Sequence, residues 1–335
     1  MTPLLDISNL VKEFPVDAGL FGRRRGSVHA VSGVSLTIRP GEALGIVGET
    51  GSGKSTLARL ILRLTNADGG SVVFDGVDVL SARGSSLKAL RRQMQIIFQD
   101  PYSALDPRMT IGASLGAPLS QHRLGDRSQR KEAITEHLAS VGLDASFADR
   151  YPSECSGGQL QRVVIARALS LHPRLLICDE PTASLDASVR AQILNLLDDL
   201  RKRLNLALVI ISHDLRVVRY MCDRIAVMYL GRIVEMADRA QAFDRPLHPY
   251  TRKLMQAALI DDSSLRRGVG LLSGEPPSPI HPPPGCRFST RCPIAQERCR
   301  QEDPGLVDVE GGHSVACFFW NLQDREAAAS VPTKA

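Results

Sequence analysis

Residues Gly48-Glu49-Thr50-Gly51-Ser52-Gly53-Lys54-Ser55-Thr56 fit G-x-x-x-x-G-K-[ST], a loop that cradles phosphates, and this stretch constrains the fold more than any other. The motif needs a strand before it and a helix after it. Ala43 to Val47 is a short apolar run that reads as a buried strand. Beyond the loop, helical spacing over Lys54 to Leu64 puts Leu57, Leu60, Ile61 and Leu64 on one face. Glycines let the backbone approach a phosphate closely, and N–H groups at the helix start point at an anion that the helix dipole also favours. Lys54 is expected to reach the β and γ phosphates, and the Ser55 hydroxyl to ligate Mg²⁺.

A chain of 335 residues has room for about two domains around a full core. Hydrophobic residues at 43% and charged residues at 23% are ordinary for a globular protein and exclude wholesale disorder. Apolar runs such as Leu206 to Ile211 are far shorter than the roughly 20 residues that span a bilayer. The first residues include Pro3, Asp6 and Asn9 and lack the pattern of a secretion signal, so a cytosolic location is expected. Net charge of +5 is modest, and the basic cluster Arg23 to Arg25 reads as a solvated loop, with lipid headgroups or a partner as the alternative contact. Nothing here asks for nucleic acid.

Residues 4–11 and 28–38 alternate well enough to be strands, separated by a Gly- and Arg-containing loop at 17–27. Phe14, between Glu13 and Pro15, fits a core role and a stacking face for adenine equally well. Ser71 to Phe74 with the turn Asp75-Gly76 predicts a hairpin, and Met94 to Phe98 the next strand, which delivers Gln99 to the sheet end where ligands bind. Residues 110–150 carry helical patterns only, with Ile134, Leu138 and Val141 on one face of Ser128 to Val141. Ser156-Gly157-Gly158-Gln159 then opens a helix from Leu160 to Ser170, a second anion-binding start, although many ordinary helices begin this way.

Leu175 to Glu180 reads as a buried strand ending in two carboxylates. Beside a phosphate loop, Asp179 fits the Mg²⁺-associated acid, and Glu180 is placed to orient or deprotonate an attacking water; capping the next helix is the plainer role for such a pair. Val189 to Leu204 is amphipathic, with Val189, Ile193, Leu196, Leu197, Leu200 and Leu204 expected inward. The strand Leu206 to Ile211 ends at Ser212-His213-Asp214, bringing His213 to the loop's edge of the sheet, within reach of a γ-phosphate. Ile225 to Tyr229 and Arg232 to Met236 form a hairpin across Leu230-Gly231.

The tail differs in composition. Residues 273–285 are proline-rich and read as a stiff connector. Of seven cysteines, Cys155, Cys178 and Cys222 are scattered and read as packing residues, while Cys286, Cys292, Cys299 and Cys317 are spaced C-x5-C-x6-C-x17-C. That spacing matches neither the tight pairs of common zinc sites nor the usual ferredoxin run. Four thiolates leave Zn²⁺, an iron–sulfur cluster, free thiols and disulfides all open.

In their order these pieces resemble the ATP-binding cassette (ABC) family. Besides the phosphate loop, Gln99 matches its Q-loop, Ser156-Gly157-Gly158-Gln159 its signature, Leu175 to Asp179 its Walker B strand with Glu180 behind it, Ala183-Ser184-Leu185-Asp186 its D-loop, and His213 its switch histidine. Phe14 falls at the adenine-stacking position, and Cys155 stands where leucine usually precedes the signature. The resemblance covers about residues 4–260. It implies an α/β phosphate-loop ATPase domain over 1–260, with a RecA-like core, an antiparallel β layer and a helical subdomain at about 101–165, followed by a small Cys-rich extension over 261–335. It also implies ATP and Mg²⁺ as cofactors, with Ser55, Gln99 and Asp179 around the metal, Lys54 and His213 at the γ-phosphate and Glu180 on the water. Two such subunits join head to tail, so Ser156 to Gln159 serve the partner's nucleotide, and Asp186 of the D-loop is counted among the nucleotide-binding residues.

A narrower resemblance is to the ATPase subunits of dipeptide and oligopeptide importers, carried by Phe98 to Arg108, Val189 to Leu197 and His248-Pro249-Tyr250-Thr251. The loop Gly19-Leu20-Phe21-Gly22 favours the second ATPase of the pair, the OppF/DppF type. The implied partners are that other ATPase, in a heterodimer, two transmembrane permease subunits and an extracytoplasmic peptide-binding protein, with this chain peripheral on the cytoplasmic face. This branch carries a similar cysteine motif holding a [4Fe-4S] cluster, which implies Cys286, Cys292, Cys299 and Cys317 as its ligands. Nickel and glutathione importers share many of these features, leaving the substrate open. A non-transport ABC protein usually carries two cassettes or a long coiled-coil insertion, neither of which is seen here.

Overall fold

The computed structural model describes residues 2–18, 23–259 and 275–321, with side chains described for 2–16, 26–256 and 275–321. Its centre is a strand buried on both faces. Chain order runs β1 (Leu5–Ala18), β2 (Arg23–Ile38), β3 (Ala43–Val47), α1 (Lys54–Ile61), β4 (Gly69–Phe74), β5 (Val77–Asp78), α2 (Gly84–Gln93) and β6 (Met94–Ile97). Then come α3 (Pro101–Ala104), α4 (Ile111–Gln121), α5 (Arg127–Ser140), α6 (Gly157–Leu169), β7 (Leu175–Asp179), α7 (Ala187–Leu204), β8 (Ala207–Ile211) and α8 (Leu215–Met221). The chain continues through β9 (Arg224–Tyr229), β10 (Arg232–Asp238), α9 (Arg239–Asp244), α10 (Pro249–Leu259), a short helix Glu297–Gln301, β11 (Val307–Glu310) and β12 (His313–Val315).

An eight-stranded sheet has the order β11-β12-β10-β9-β3-β8-β7-β6, and a four-stranded antiparallel sheet has the order β2-β1-β4-β5. In the larger sheet β6, β7, β8, β3 and β9 run parallel. Parallel strands are covered on both faces, which is why their sequences read as continuous apolar runs. Leu44 and Ile46 of β3, Leu175 and Ile177 of β7 and Val209 of β8 join a core shared with α1 and the antiparallel sheet. Ala43, Val47, Leu176, Cys178, Leu208 and Ile210 face the other way, into a core with α6, α7 and α8. Cys155, Cys178 and Cys222 are all buried in this second core, as packing residues.

Three expectations need correction. The loop at 17–27 is shorter, because β1 runs through Ala18 and β2 begins at Arg23, so Arg23 to Arg25 belong to a strand; residues 19–22, with the Gly19 to Gly22 segment, lie outside the described residues. Helix α1 stops at Ile61, Arg63 turns left-handed (φ 49°), and Leu64 is exposed rather than on the buried face. Leu204, at the last turn of α7, is also exposed, and Leu206 beyond the left-handed Asn205 fills the core instead.

The tail joins the main sheet. β12 pairs with β10 through Glu235↔Val315 and Met236↔Ser314. Glu235 is fully buried and accepts from the backbone N–H of Leu247 (2.8 Å) and His248 (2.7 Å), and its carboxylate lies 2.7 Å from His313 Nε2. One carboxylate thus ties β10, the start of α10 and β12. Among the described residues no helix is long and apolar enough to cross a membrane.

Glu235→Ala leaves two buried N–H donors and the imidazole without their acceptor, at a cost of about 3 kcal/mol or more. Urea denaturation of the full chain should show the midpoint falling accordingly. Glu235→Gln, which keeps an acceptor oxygen, should lose less.

Candidate functional site

Strand β3 delivers the chain to Gly48 at the carboxyl end of the parallel sheet. Gly48 has φ +153°, and a Cβ there would meet the Met228 carbonyl oxygen of β9 at 2.0 Å. At Gly53 (φ +102°) a Cβ would come equally close to the backbone of β2, 2.1 Å from the Ala30 oxygen. No side chain fits either position, so the two glycines let the loop sit in the crevice between the sheets. Lys54 folds back over it, donating to the carbonyls of Gly48 (2.8 Å) and Glu49 (2.9 Å). Burial lowers the pKa of this ammonium, opposed by the negative charges of Glu180, Asp179 and Glu49.

Strands β7 and β8 end beside the loop. Ser55 Oγ donates to Asp179 Oδ1 at 3.1 Å. Burial holds the Asp179 carboxyl above the usual carboxylate range, with Glu180 adding to the rise and the Ser55 hydrogen bond opposing it. A buried carboxylate beside a hydroxyl gains from neutralisation by a hard cation, so Asp179 and Ser55 fit Mg²⁺. Glu180 adopts φ +52°, a left-handed conformation costing of order 1 kcal/mol for a residue with a side chain, while its N–H donates to Ile211 O (2.9 Å). Its carboxylate meets His213 Nδ1 at 2.9 Å.

A cleft of about 640 Å³ collects Phe14, Thr50, Gly51, Gly53, Lys54, Ser55, Thr56, Gln99, Glu180 and His213. All are residues that the sequence singles out. Phe14, exposed and paired with Val28 across β1 and β2, lines the cleft together with Val28 and Ala30. Gly48, Glu49, Ser52 and Asp179 are outside the lining: Ser52 is buried and its N–H donates to the Glu49 carbonyl at 3.1 Å.

Ser156, Gly157, Gly158 and Gln159 do not line this cleft. They form a capping box at the start of α6, with Gln159 N donating to Ser156 Oγ (3.3 Å) and Ser156 N to Gln159 Oε1 (2.9 Å). Asp186 is outside the cleft too. It caps α7, accepting from Ser188 N (3.1 Å) and Val189 N (3.0 Å), and these bonds hold its carboxyl below the usual range. Gly157 and Gly158 pack near Leu185 and Val189, so the signature and D-loop segments adjoin.

The four tail cysteines are unpaired, and all line one largely apolar pocket with His248, Ile294, Phe288, Phe318 and Phe319. Burial pushes the Cys286 thiol up to about 12 and the Cys317 thiol up to about 11. Among the described residues no three His, Cys, Asp or Glu side chains stand close enough to hold a single metal ion.

Two protein-family models match. One described as ABC transporter covers residues 31–183, and one described as oligopeptide/dipeptide transporter, C-terminal region, covers residues 234–299. The chain is 50% identical over 332 residues to a probable peptide ABC transporter ATP-binding protein, y4tS, of Sinorhizobium fredii, spanning 99% of this chain and 93% of that one. This chain belongs to the ABC transporter ATP-binding proteins. The oligopeptide transport ATP-binding protein OppF of Escherichia coli is 46% identical, over 94% of this chain and 96% of that one. Among solved structures, the dimeric ATP-binding cassette MJ0796 bound to ADP and Pi superposes with a TM-score of 0.62 at 29% identity, covering 70% of this chain and 98% of that one. The fold and the ATPase class expected from the motifs are therefore correct.

Three residues near the nucleotide cassette escaped the sequence reading. Pro279 lines the cleft, and its carbonyl accepts from His29 N at 3.0 Å. Tyr250 Oη accepts from Glu49 N at 2.9 Å across a separation of 201 residues. Arg291 reaches Glu49 across 242 residues. The available signal was slight: a Tyr in the His248 to Thr251 segment and an Arg inside the cysteine pattern.

Asp179→Asn should keep Mg²⁺-free ATP binding but lose about tenfold of the affinity that Mg²⁺ adds. Calorimetric titration of ATP with Mg²⁺ and with EDTA separates the two.

Proposed function

We propose that this chain is the ATP-hydrolysing subunit of an importer for di- and oligopeptides, working as half of a head-to-tail ATPase pair. The observation that carries the pairing is the separation of two anion-binding helix starts. Lys54 opens α1 inside the cleft, while Ser156 opens α6 outside it. The second has its donors arranged and no phosphate of its own chain to serve, so it meets the partner's nucleotide. The dimeric MJ0796 cassette, similar in fold, supports this. The names of the S. fredii and E. coli relatives support peptides as the cargo, which never touches this chain.

Within the cleft, Phe14 stacks on the adenine, the loop's N–H groups hold the phosphates, and the Lys54 ammonium balances charge on the β and γ phosphates. Ser55, Asp179 and Gln99 would hold Mg²⁺, which when bound neutralises phosphate charge. Glu180, held against His213, orients the attacking water and accepts its proton, and His213 contacts the γ-phosphate. Catalysis is positioning and charge stabilisation. Asp186 sits beside the signature, facing the same partner.

The other ATPase is a different chain, and two permease subunits with an extracytoplasmic binding protein complete the transporter, which holds this subunit at the cytoplasmic face. In this reading residues 1–260 are the ATPase domain, with its helical subdomain at about 101–165, and 261–335 the extension. The thiol pocket takes a [4Fe-4S] cluster. Supporting this are four thiols lining one apolar pocket, a soft donor set that must shed its protons on loading.

In the assembled transporter, Glu180→Gln should retain ATP affinity and lose turnover by about 10²-fold or more. Steady-state phosphate release measures it, and near-normal hydrolysis would remove Glu180 from this role. Protein purified without oxygen should contain iron and acid-labile sulfide; stoichiometric zinc without iron would overturn the cluster.

A further inference from the structure

Glu49 is the second residue of the phosphate loop, and its carboxylate is not left to solvent. Arg291 spans it with a two-pronged contact, Nη1 to Oε2 at 2.9 Å and Nη2 to Oε1 at 3.1 Å. The Arg291 side chain is only 5% exposed. Its Nη1 also donates to Tyr229 Oη at 3.3 Å, and the guanidinium stands 5.9 Å from the Tyr229 ring centre. The same loop residue is gripped through its backbone, Glu49 N donating to Tyr250 Oη. Tyr229, Tyr250 and Phe288 pack together with ring centres 4.7–5.4 Å apart, forming a stiff wall behind the loop.

Arg291 itself is set by a tight turn between two of the clustered cysteines. Ser289 N donates to Cys286 O (2.9 Å) and Arg291 N to Phe288 O (3.0 Å). Next to it, Arg287 is buried and donates to the carbonyl of Leu230. The following residue, Gly231, donates its N–H to Ser52 O of the phosphate loop at 2.8 Å. The Cys286 to Cys292 turn therefore reaches the loop by two routes, one through a charge pair and one through the β9–β10 turn.

We propose that Arg291 is a positioning residue for nucleotide binding: it neutralises Glu49 and fixes the phosphate loop, making the tail cysteine segment part of the ATP site. This rests on the cleft being the ATP site. The physical reason is the sign of the charges. An uncompensated carboxylate within the loop repels a polyphosphate in a low-dielectric crevice, and the repulsion grows with phosphate charge. A planar, permanently charged fork satisfies both carboxylate oxygens at once, which an ammonium cannot do.

The test is nucleotide titration of the full chain by calorimetry for wild type, Arg291→Gln, Arg291→Lys, Glu49→Gln and the Glu49→Gln/Arg291→Gln double variant, each checked by circular dichroism. Arg291→Gln should weaken Mg-ATP binding about tenfold and ADP binding less, because ADP carries one charge fewer. Arg291→Lys should recover part of the loss, and the double variant most of it, to within about threefold of wild type. Unchanged ATP affinity in Arg291→Gln overturns the proposal. So does an equal loss for ATP and ADP that Glu49→Gln fails to relieve, which makes Arg291 a brace only. If Arg291→Gln does not fold, the double variant decides: near wild-type ATP affinity supports the proposal and a tenfold loss overturns it. Failure of the wild-type chain to bind ATP at all strikes instead at the assignment of the cleft.

Discussion

The Lys54 ammonium is buried, and the ends of two strands are arranged to compensate it. A buried cation without partners is expensive, so the loop wraps its own carbonyls around the amine while Asp179 and Glu180 bring negative charge from β7. This requires the loop to enter the crevice between two sheets, where only glycine fits at Gly48 and Gly53. It also requires β3 to be an interior strand of the parallel set, so that β8 and β9 flank it and both faces are packed. The paired cores follow from the same demand.

What was legible in the sequence was local. The phosphate loop is one continuous motif; Glu180 and His213 end apolar runs; and the alternation of helix and strand patterns gives the parallel sheet without further information. Helix ends were less legible. Leu64 and Leu204 continue an apolar period, yet Leu64 lies past the end of α1 and Leu204 is the last residue of α7, and a left-handed residue nearby redirects the chain. Contacts across 201 and 242 residues leave no period at all, so Tyr250 and Arg291 had no pattern to mark them as neighbours of Glu49. The pairing of β12 with β10 was hidden for the same reason: three residues, His313 to Val315, are too short to announce a strand.

The tail is bound into the cassette at several depths. Glu235 anchors β12 through His313, Pro279 bonds to β2 beside the cleft, and Arg291 pairs with the loop. A substitution far along the chain can therefore disturb nucleotide binding without touching any residue of the recognised motifs. The thiol pocket shares a wall with this network through Phe288, which contacts both tyrosines behind the loop.

The capping box at Ser156 and Gln159 bears on how two such subunits meet. Its hydrogen bonds already fix the first turn of α6 in the single chain, with two reciprocal N–H bonds made before any partner arrives. Ordering entropy that a disordered loop would lose during association has thus been lost in folding. Under the proposed head-to-tail pairing, docking onto a neighbour's phosphates is then a rigid-body encounter, governed by orientation and by shedding of water, and it can reverse quickly once the phosphate charge that draws it is gone.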